Sequence, residues 1–286
     1  MRLGVCQWAV GRPAGLAGWA ARLEREVAAA VAQGGEVLVM PEYAPLEMAA
    51  GDVADVDREL RVAVCLAGAA IEAARAVARR HRVWLVPGTF PMEMDGRIVN
   101  RAPLIAADGA VAFQDKHVMT RFEDERWGVV AGAPPAVFET PWGVIGISVC
   151  FDMEFPALVR AQVEAGAWLI LGPTCTDTMA GFNRVRIAAA ARAMENQCFV
   201  AIAPTVGEAP WCGTLDVNRG YAAVFGPVDR GFPEDGVLAR GALDRGGWVF
   251  ADVERAALDG VRDGGQVRNH RSWPASVPPA RLVVVG

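Results

Sequence analysis

Glu42, Lys116 and Cys150 have the types and settings that covalent chemistry requires. Each follows a run that reads as a strand. Glu42 comes after Val37-Leu38-Val39-Met40 and Pro41, Lys116 closes the mostly apolar stretch that opens at Ala110, and Cys150 ends the dense apolar run 143–149. The C-terminal edge of the strands is where open α/β sheets bind their ligands. A carboxylate, an ammonium and a thiol gathered there would make a nucleophilic site, with one base, one cation and one nucleophile. Lys116 carries a second signal. Of the 28 Lys and Arg residues it is the one lysine, leaving 27 arginines. Arginine is a planar fork that keeps its proton, whereas lysine is a compact point charge. A position that keeps lysine against such a bias fits a site that needs the smaller group. Plainer readings stand beside these: Cys150 as a packed thiol, Glu42 as a cap on the next segment, Lys116 as the partner of Asp115 or Glu123.

The surrounding pattern alternates strand and helix. Residues 3–10 form an apolar, strand-like start. Residues 15–33 are alanine-rich with helical periodicity and stop at Gly34-Gly35, a glycine signal of a helix C-terminus. A short buried strand over 36–40 is halted by Pro41, a long helix covers 59–80, and a strand over 83–86 closes at Pro87-Gly88. Asp95-Gly96 and Asp108-Gly109 predict hairpin turns. The second half repeats the logic: strand 143–149, helix 156–164 opened by Pro156 and stopped by Gly166, strand 168–171, helix 183–196 and strand 198–203. Beyond these, residues 221–225, 237–243 and 248–253 read as strands between Gly-, Pro- and Asp-rich turns. No linker, repeat or low-complexity segment interrupts the chain, which reads as one α/β domain with helices covering sheets.

Composition narrows the function. Hydrophobic residues make up 53% and charged residues 21% of the 286, enough for a large core. No apolar run approaches the ~18–20 residues of a membrane span. A net charge of −5 and scattered arginines argue against nucleic-acid binding. The six cysteines, Cys6, Cys65, Cys150, Cys175, Cys198 and Cys212, form no CxxC pair. With no signal-peptide pattern at the start, they predict free thiols in a reducing cytoplasm. His81, His117 and His270 lack metal-ligand spacing, and no GxGxxG or P-loop appears, so neither a metal nor a nucleotide cofactor is expected.

Met40-Pro41-Glu42, Asp115-Lys116-His117 and the run from Val149 through Cys150-Phe151-Asp152 to Pro156 resemble, in order and spacing, the three signature segments of the nitrilase superfamily of carbon–nitrogen hydrolases. Residues 191–197 resemble a helix segment common in that family. The likeness is densest over about 3–203 and weaker beyond, where an extra stretch at 231–236 departs from the pattern. It implies an αββα sandwich, two mixed β-sheets flanked by helices, as a single domain over 1–286. It also implies a Glu42–Lys116–Cys150 triad in which Cys150 attacks an amide carbonyl, Glu42 moves the proton, and Lys116 with the Phe151 N–H steadies the oxyanion. A second glutamate between lysine and cysteine falls on Glu125, judged by its distance from Gly132, with Glu123 as the rival. Phe151, Trp127, Met153, Thr174 and Cys175 are the expected substrate-binding residues. Phe151-Asp152 after the nucleophile resembles the amidase and carbamoylase branches rather than the Cys-Trp-Glu of nitrilases. The expected partner is therefore a small amide or carbamoyl compound, in a homodimer or higher homo-oligomer. A nitrile hydrolase and a silent assembly subunit of the same fold are the alternatives.

Overall fold

A computed structural model describes residues 1–51 and 54–276. The first half runs β1 (Arg2–Ala9), α1 (Gly15–Val31), β2 (Val37–Val39), α2 (Val56–His81), β3 (Trp84–Val86), β4 (Phe90–Met94), β5 (Arg97–Ile105) and β6 (Val111–Asp115). The second runs β7 (Val137–Thr140), β8 (Gly143–Ile147), α3 (Pro156–Glu164), β9 (Leu169–Thr174), α4 (Met179–Asn196) and β10 (Phe199–Glu208). It ends with β11 (Val217–Asn218), β12 (Ala223–Phe225), β13 (Val237–Arg240), β14 (Gly247–Asp252) and α5 (Arg255–Gly264).

The strands form one curled mixed sheet in the order β4-β5-β3-β2-β1-β10-β9-β8-β7. Its two halves meet in a short parallel pairing, Trp8 with Thr205 and Ala9 with Val206. Below that junction β1 pairs instead with β14, from Arg2 opposite Asp252 to Gln7 opposite Gly247. Strand parity divides the apolar side chains of β2 between two of the three buried clusters among the described residues. Val37 and Val39 of β2 join Leu3, Val5, Ile145, Ile147 and Leu169 in a cluster that draws on both halves of the sheet. Leu38, one residue out of phase, joins Trp19, Leu23 and Val27 of α1 and Ala70, Ala74 and Val77 of α2. Successive side chains of a strand point to opposite faces, and full burial of each large one stabilises by roughly 1.5–3 kcal/mol.

The helices follow from the same accounting. On α1, Trp19, Leu23, Val27 and Ala30 are buried at helical spacing. On α2 the Asp55 carboxylate caps the first turn, accepting from the N–H groups of Asp57 at 3.1 Å and Arg58 at 3.0 Å. The Asp95-Gly96 and Asp108-Gly109 turns join β4 to β5 and β5 to β6 as expected. The 231–236 stretch lies between β12 and β13. The sequence pattern did not reveal β7 or α5, and helix α4 starts four residues earlier than expected, at Met179. Among the described residues no helix is long and apolar enough to cross a membrane.

Candidate active site

Three strand ends deliver three functional side chains to one place. Past β2, Met40 N–H still bonds the Val86 carbonyl at 2.8 Å, so Glu42 leaves the sheet on a fixed heading. Tyr43 then turns the chain at a φ of +56°, its N–H donating to Thr89 Oγ1 at 3.1 Å. At the end of β6, Arg101 grips the Asp115 carboxylate with two bonds of 2.6 and 3.0 Å, and Lys116 N–H bonds the Asn100 carbonyl at 2.8 Å. Past β8, Ser148 N–H bonds the Leu171 carbonyl at 2.9 Å. Cys150 follows at a φ of +47° and opens a single 3-10 turn, Cys150–Glu154. A left-handed conformation costs a non-glycine residue about 1–2 kcal/mol.

Lys116 is the centre. Its Nζ donates to Glu42 Oε1 at 2.8 Å and to Glu123 Oε2 at 2.6 Å. Asn100 Nδ2 donates to Glu42 at 2.9 Å and to Glu123 at 3.3 Å. Tyr43 Oη donates to Glu123 at 2.8 Å, and Thr120 donates to it from N–H at 2.9 Å and from Oγ1 at 2.8 Å. Glu42, Lys116, Glu123 and Cys150 are all 3% exposed or less. The Cys150 Sγ donates to the Cys175 carbonyl at 3.5 Å, with the Glu42 carboxylate as its nearest negative charge.

Burial and charge set the protonation states. Burial pushes Glu42 up to about 7, against the pull of Lys116. Burial, reinforced by Glu42, pushes the Cys150 thiol well above its usual range. Burial alone would lower Lys116, but the Glu42 and Glu123 carboxylates overcome it and hold the ammonium charged. Burial would likewise raise Glu123, but Lys116 and the converging donors bring it below the usual carboxylate value. The two glutamates thus part: Glu123 stays an anion, while Glu42 titrates near neutrality.

Glu125, the favoured second glutamate, lies outside this cluster. It projects to solvent and pairs with Arg121 across one helical turn, Oε1 to Nε at 2.7 Å. The rival Glu123 occupies the place beside Lys116. Both belong to a π-helical turn, Phe122–Trp127, and residues two apart on a helix face different ways. Phe151, Trp127 and Cys175 line a cavity of about 550 Å³ that opens onto Cys150, Lys116 and Glu42. Met153 and Thr174 do not. Met153 is fully buried against Gly172, and Thr174 is buried with its hydroxyl on the Ala203 carbonyl at 3.0 Å. No residue of 231–236 lines the cavity.

The sequence reading passed over Tyr43, Asn100 and Thr120. No local signal marked them: Asn100 stands beside Arg101 on β5, and its full burial is visible only in the fold. Asp152 was read as a marker of branch, yet its carboxylate accepts the His117 N–H at 3.0 Å and the Val118 N–H at 2.7 Å. It ties the turn at Cys150 to the chain just past Lys116. Among the described residues no group of His, Cys, Asp and Glu is placed to hold a metal ion.

The family model for carbon-nitrogen hydrolases matches residues 2–234. The chain belongs to the carbon-nitrogen hydrolase family. Within the family it is 35% identical over 192 residues to the probable hydrolase YhcX of Bacillus subtilis, a match spanning 67% of this chain and 37% of that relative. It is 26% identical over 257 residues to a deaminated glutathione amidase of Synechocystis, spanning 85% of this chain and 88% of the other. The amidase of Nesterenkonia sp. superposes with a TM-score of 0.73 at 27% identity, covering 96% of each chain. A variant of the Nesterenkonia sp. AN1 amidase, 26% identical over 96% of each chain with a TM-score of 0.73, carries the acetamide moiety of fluoroacetamide covalently added at its active site cysteine.

Proposed function

We propose that this chain hydrolyses a small amide or carbamoyl compound through a thioester on Cys150. The observation that carries the reading is the buried Glu42–Lys116–Glu123 cluster against the Cys150 thiol, at the base of an open cavity. The names of the amidase relatives support the same class of bond.

The steps follow from the protonation states. The Cys150 thiol is protonated at neutral pH, so attack and proton transfer go together: sulfur bonds the carbonyl carbon as Glu42 takes the proton. The Lys116 ammonium and the Phe151 N–H meet the negative charge that develops on the carbonyl oxygen. Glu42 then gives the proton to the leaving nitrogen, and ammonia or an amine departs. Water attacks the thioester, Glu42 takes a proton from it, and the released thiolate is reprotonated. Glu123 keeps Lys116 charged and in place through both halves. The Phe151-Asp152 pair supports an amide over a nitrile.

The rest of the reading goes with this one. The two apolar clusters support two sheets flanked by helices. One domain over 1–286, whose last ten residues lie outside the described ones, a cytoplasmic setting and a homodimer complete it.

The test is a panel of simple amides, carbamoyl amino acids and matched nitriles, with and without EDTA, reading released ammonia and the intact mass of trapped enzyme. The expected result is EDTA-resistant amide turnover, a thioester-sized adduct, and loss of both in Cys150→Ala. Turnover that survives Cys150→Ala, falls to EDTA, or runs faster on the nitrile overturns the proposal.

A further inference from the structure

Glu59 is a carboxylate in the first turn of α2 and is fully buried, yet no basic side chain pairs with it among the described residues. Its oxygens are met by donors from one short turn between β10 and β11. Oε1 accepts from the Gly213 N–H at 2.9 Å, and Oε2 accepts from the Thr214 N–H at 2.9 Å, the Thr214 hydroxyl at 2.7 Å and the Cys212 thiol at 3.6 Å. The Asp55 N–H adds a longer contact of 3.4 Å from its own helix. A buried polar group costs free energy unless it is hydrogen-bonded, and here 212–214 supplies the bonds. The approach is close: a Cβ on Gly213 would come within 3.1 Å of Val56 Cγ2.

That turn is a wall of the catalytic cavity. Gly213 and Thr214 line it, and Asp216 and Val217, a few residues on, continue the lining. Inside the turn, backbone bonds run from Cys212 N–H to the Ala209 carbonyl at 2.8 Å and from Leu215 N–H to the Cys212 carbonyl at 3.2 Å. These bonds shape the turn, and the Trp211 indole N–H on the Gly11 carbonyl at 3.0 Å anchors it at one side. At 212–214 the side-chain anchor is Glu59, from a helix that belongs to the other half of the sheet.

We propose that Glu59 is a positioning residue for substrate binding: it sets the 212–214 wall of the cavity and so determines which acyl groups reach Cys150. The proposal rests on the amide-hydrolase reading of that cavity. Substitution by glutamine keeps the shape but cannot keep the bonds. Donors meet both oxygens of Glu59, so an NH2 group at either position faces N–H or O–H.

The experiment uses a Cys65→Ser background, because Cys65 is an exposed thiol. Two quantities are compared between this parent and Glu59→Gln: amide turnover, and alkylation of Cys150 by a small and by a bulky aryl haloacetamide. The expected result is a KM raised about tenfold with kcat held within about threefold. The ratio of small-reagent to bulky-reagent alkylation should fall as the wall loosens. Thr214→Val, which removes one donor and keeps the others, should shift KM the same way by less, and it decides the matter if Glu59→Gln does not fold. Unchanged KM and unchanged reagent selectivity overturn the proposal. So does a parallel fall in kcat and in small-reagent alkylation, which marks general damage. If the parent releases no ammonia from any amide, the hydrolase reading fails, and reagent selectivity alone still decides the role of Glu59.

Discussion

Cys150 holds a left-handed backbone at the point where its thiol must turn toward Glu42. Any residue with a Cβ shares that strain, and glycine escapes it. Cys150→Gly should therefore be more stable than Cys150→Ala by about 1 kcal/mol, the reverse of the usual order, as read by urea unfolding. Both should lose about 10³-fold or more in activity. The neighbouring base sets the pH dependence. Glu42 must be deprotonated to take the thiol proton, and its value is raised to about 7. Activity is thus gained as pH rises through 7 and lost below it, with kcat/KM falling about tenfold per unit on the acid side. A profile flat between pH 5 and 8 would remove Glu42 from the role of base. The two rival glutamates separate cleanly. Every group around Glu123 is a donor: Lys116, Tyr43, Asn100 and both Thr120 groups. Glu123→Gln sets an NH2 against them and should cost about 10²-fold in kcat. Glu125→Gln breaks an exposed pair and should leave kcat and Tm within error.

Strands carry Glu42, Lys116 and Cys150, and short turns aim them. Asp152 shows how one turn governs another, since it holds the His117 and Val118 N–H groups from the turn of the nucleophile. Asp152→Ala leaves both donors buried and unpaired, at a cost of about 1–3 kcal/mol. It should also slow Cys150 alkylation and kcat together, because Lys116 and Cys150 drift apart. Asp152→Asn keeps one acceptor and should lose less on both counts; equal loss in the two variants would deny the tether. This scale also marks what could be read in the chain. Turn pairs such as Asp95-Gly96 and Asp108-Gly109 punctuate the strands, so the ends at Glu42, Lys116 and Cys150 were legible. The choice between Glu123 and Glu125 was not. Spacing from Gly132 cannot tell which side of a π turn faces the lysine. Helix α5 escaped because it buries only Leu258 and Val261, too sparse a stripe to show a period. Glu59 escaped because nothing local distinguishes a buried helix glutamate from a solvated one.

At the scale of the whole molecule, α4 leaves an apolar stripe outward. Ile187 is 58% and Met194 39% exposed, with Ala190 and Ala191 half-buried between them at helical spacing. The proposed dimer would cover it through a twofold contact along this helix. Light scattering should give twice the 30.4 kDa of the chain, and Ile187→Glu should halve that mass; a parent that is monomeric at micromolar concentration ends the dimer proposal. The seam of the sheet has a different kind of consequence. β1 meets β10 at Trp8 and Ala9 and β14 along residues 2–7, so this strand takes partners from far later in the chain. At ribosomal speeds of ~5–20 residues per second, β1 waits on the order of 10–50 s for β14 to be synthesised. During that wait the nascent chain presents a long, apolar, half-paired strand edge, the surface that chaperones shield and that misassembles when they do not. Slowing translation across residues 200–252 should therefore lower soluble yield, read against a synonymous control that slows residues 100–150.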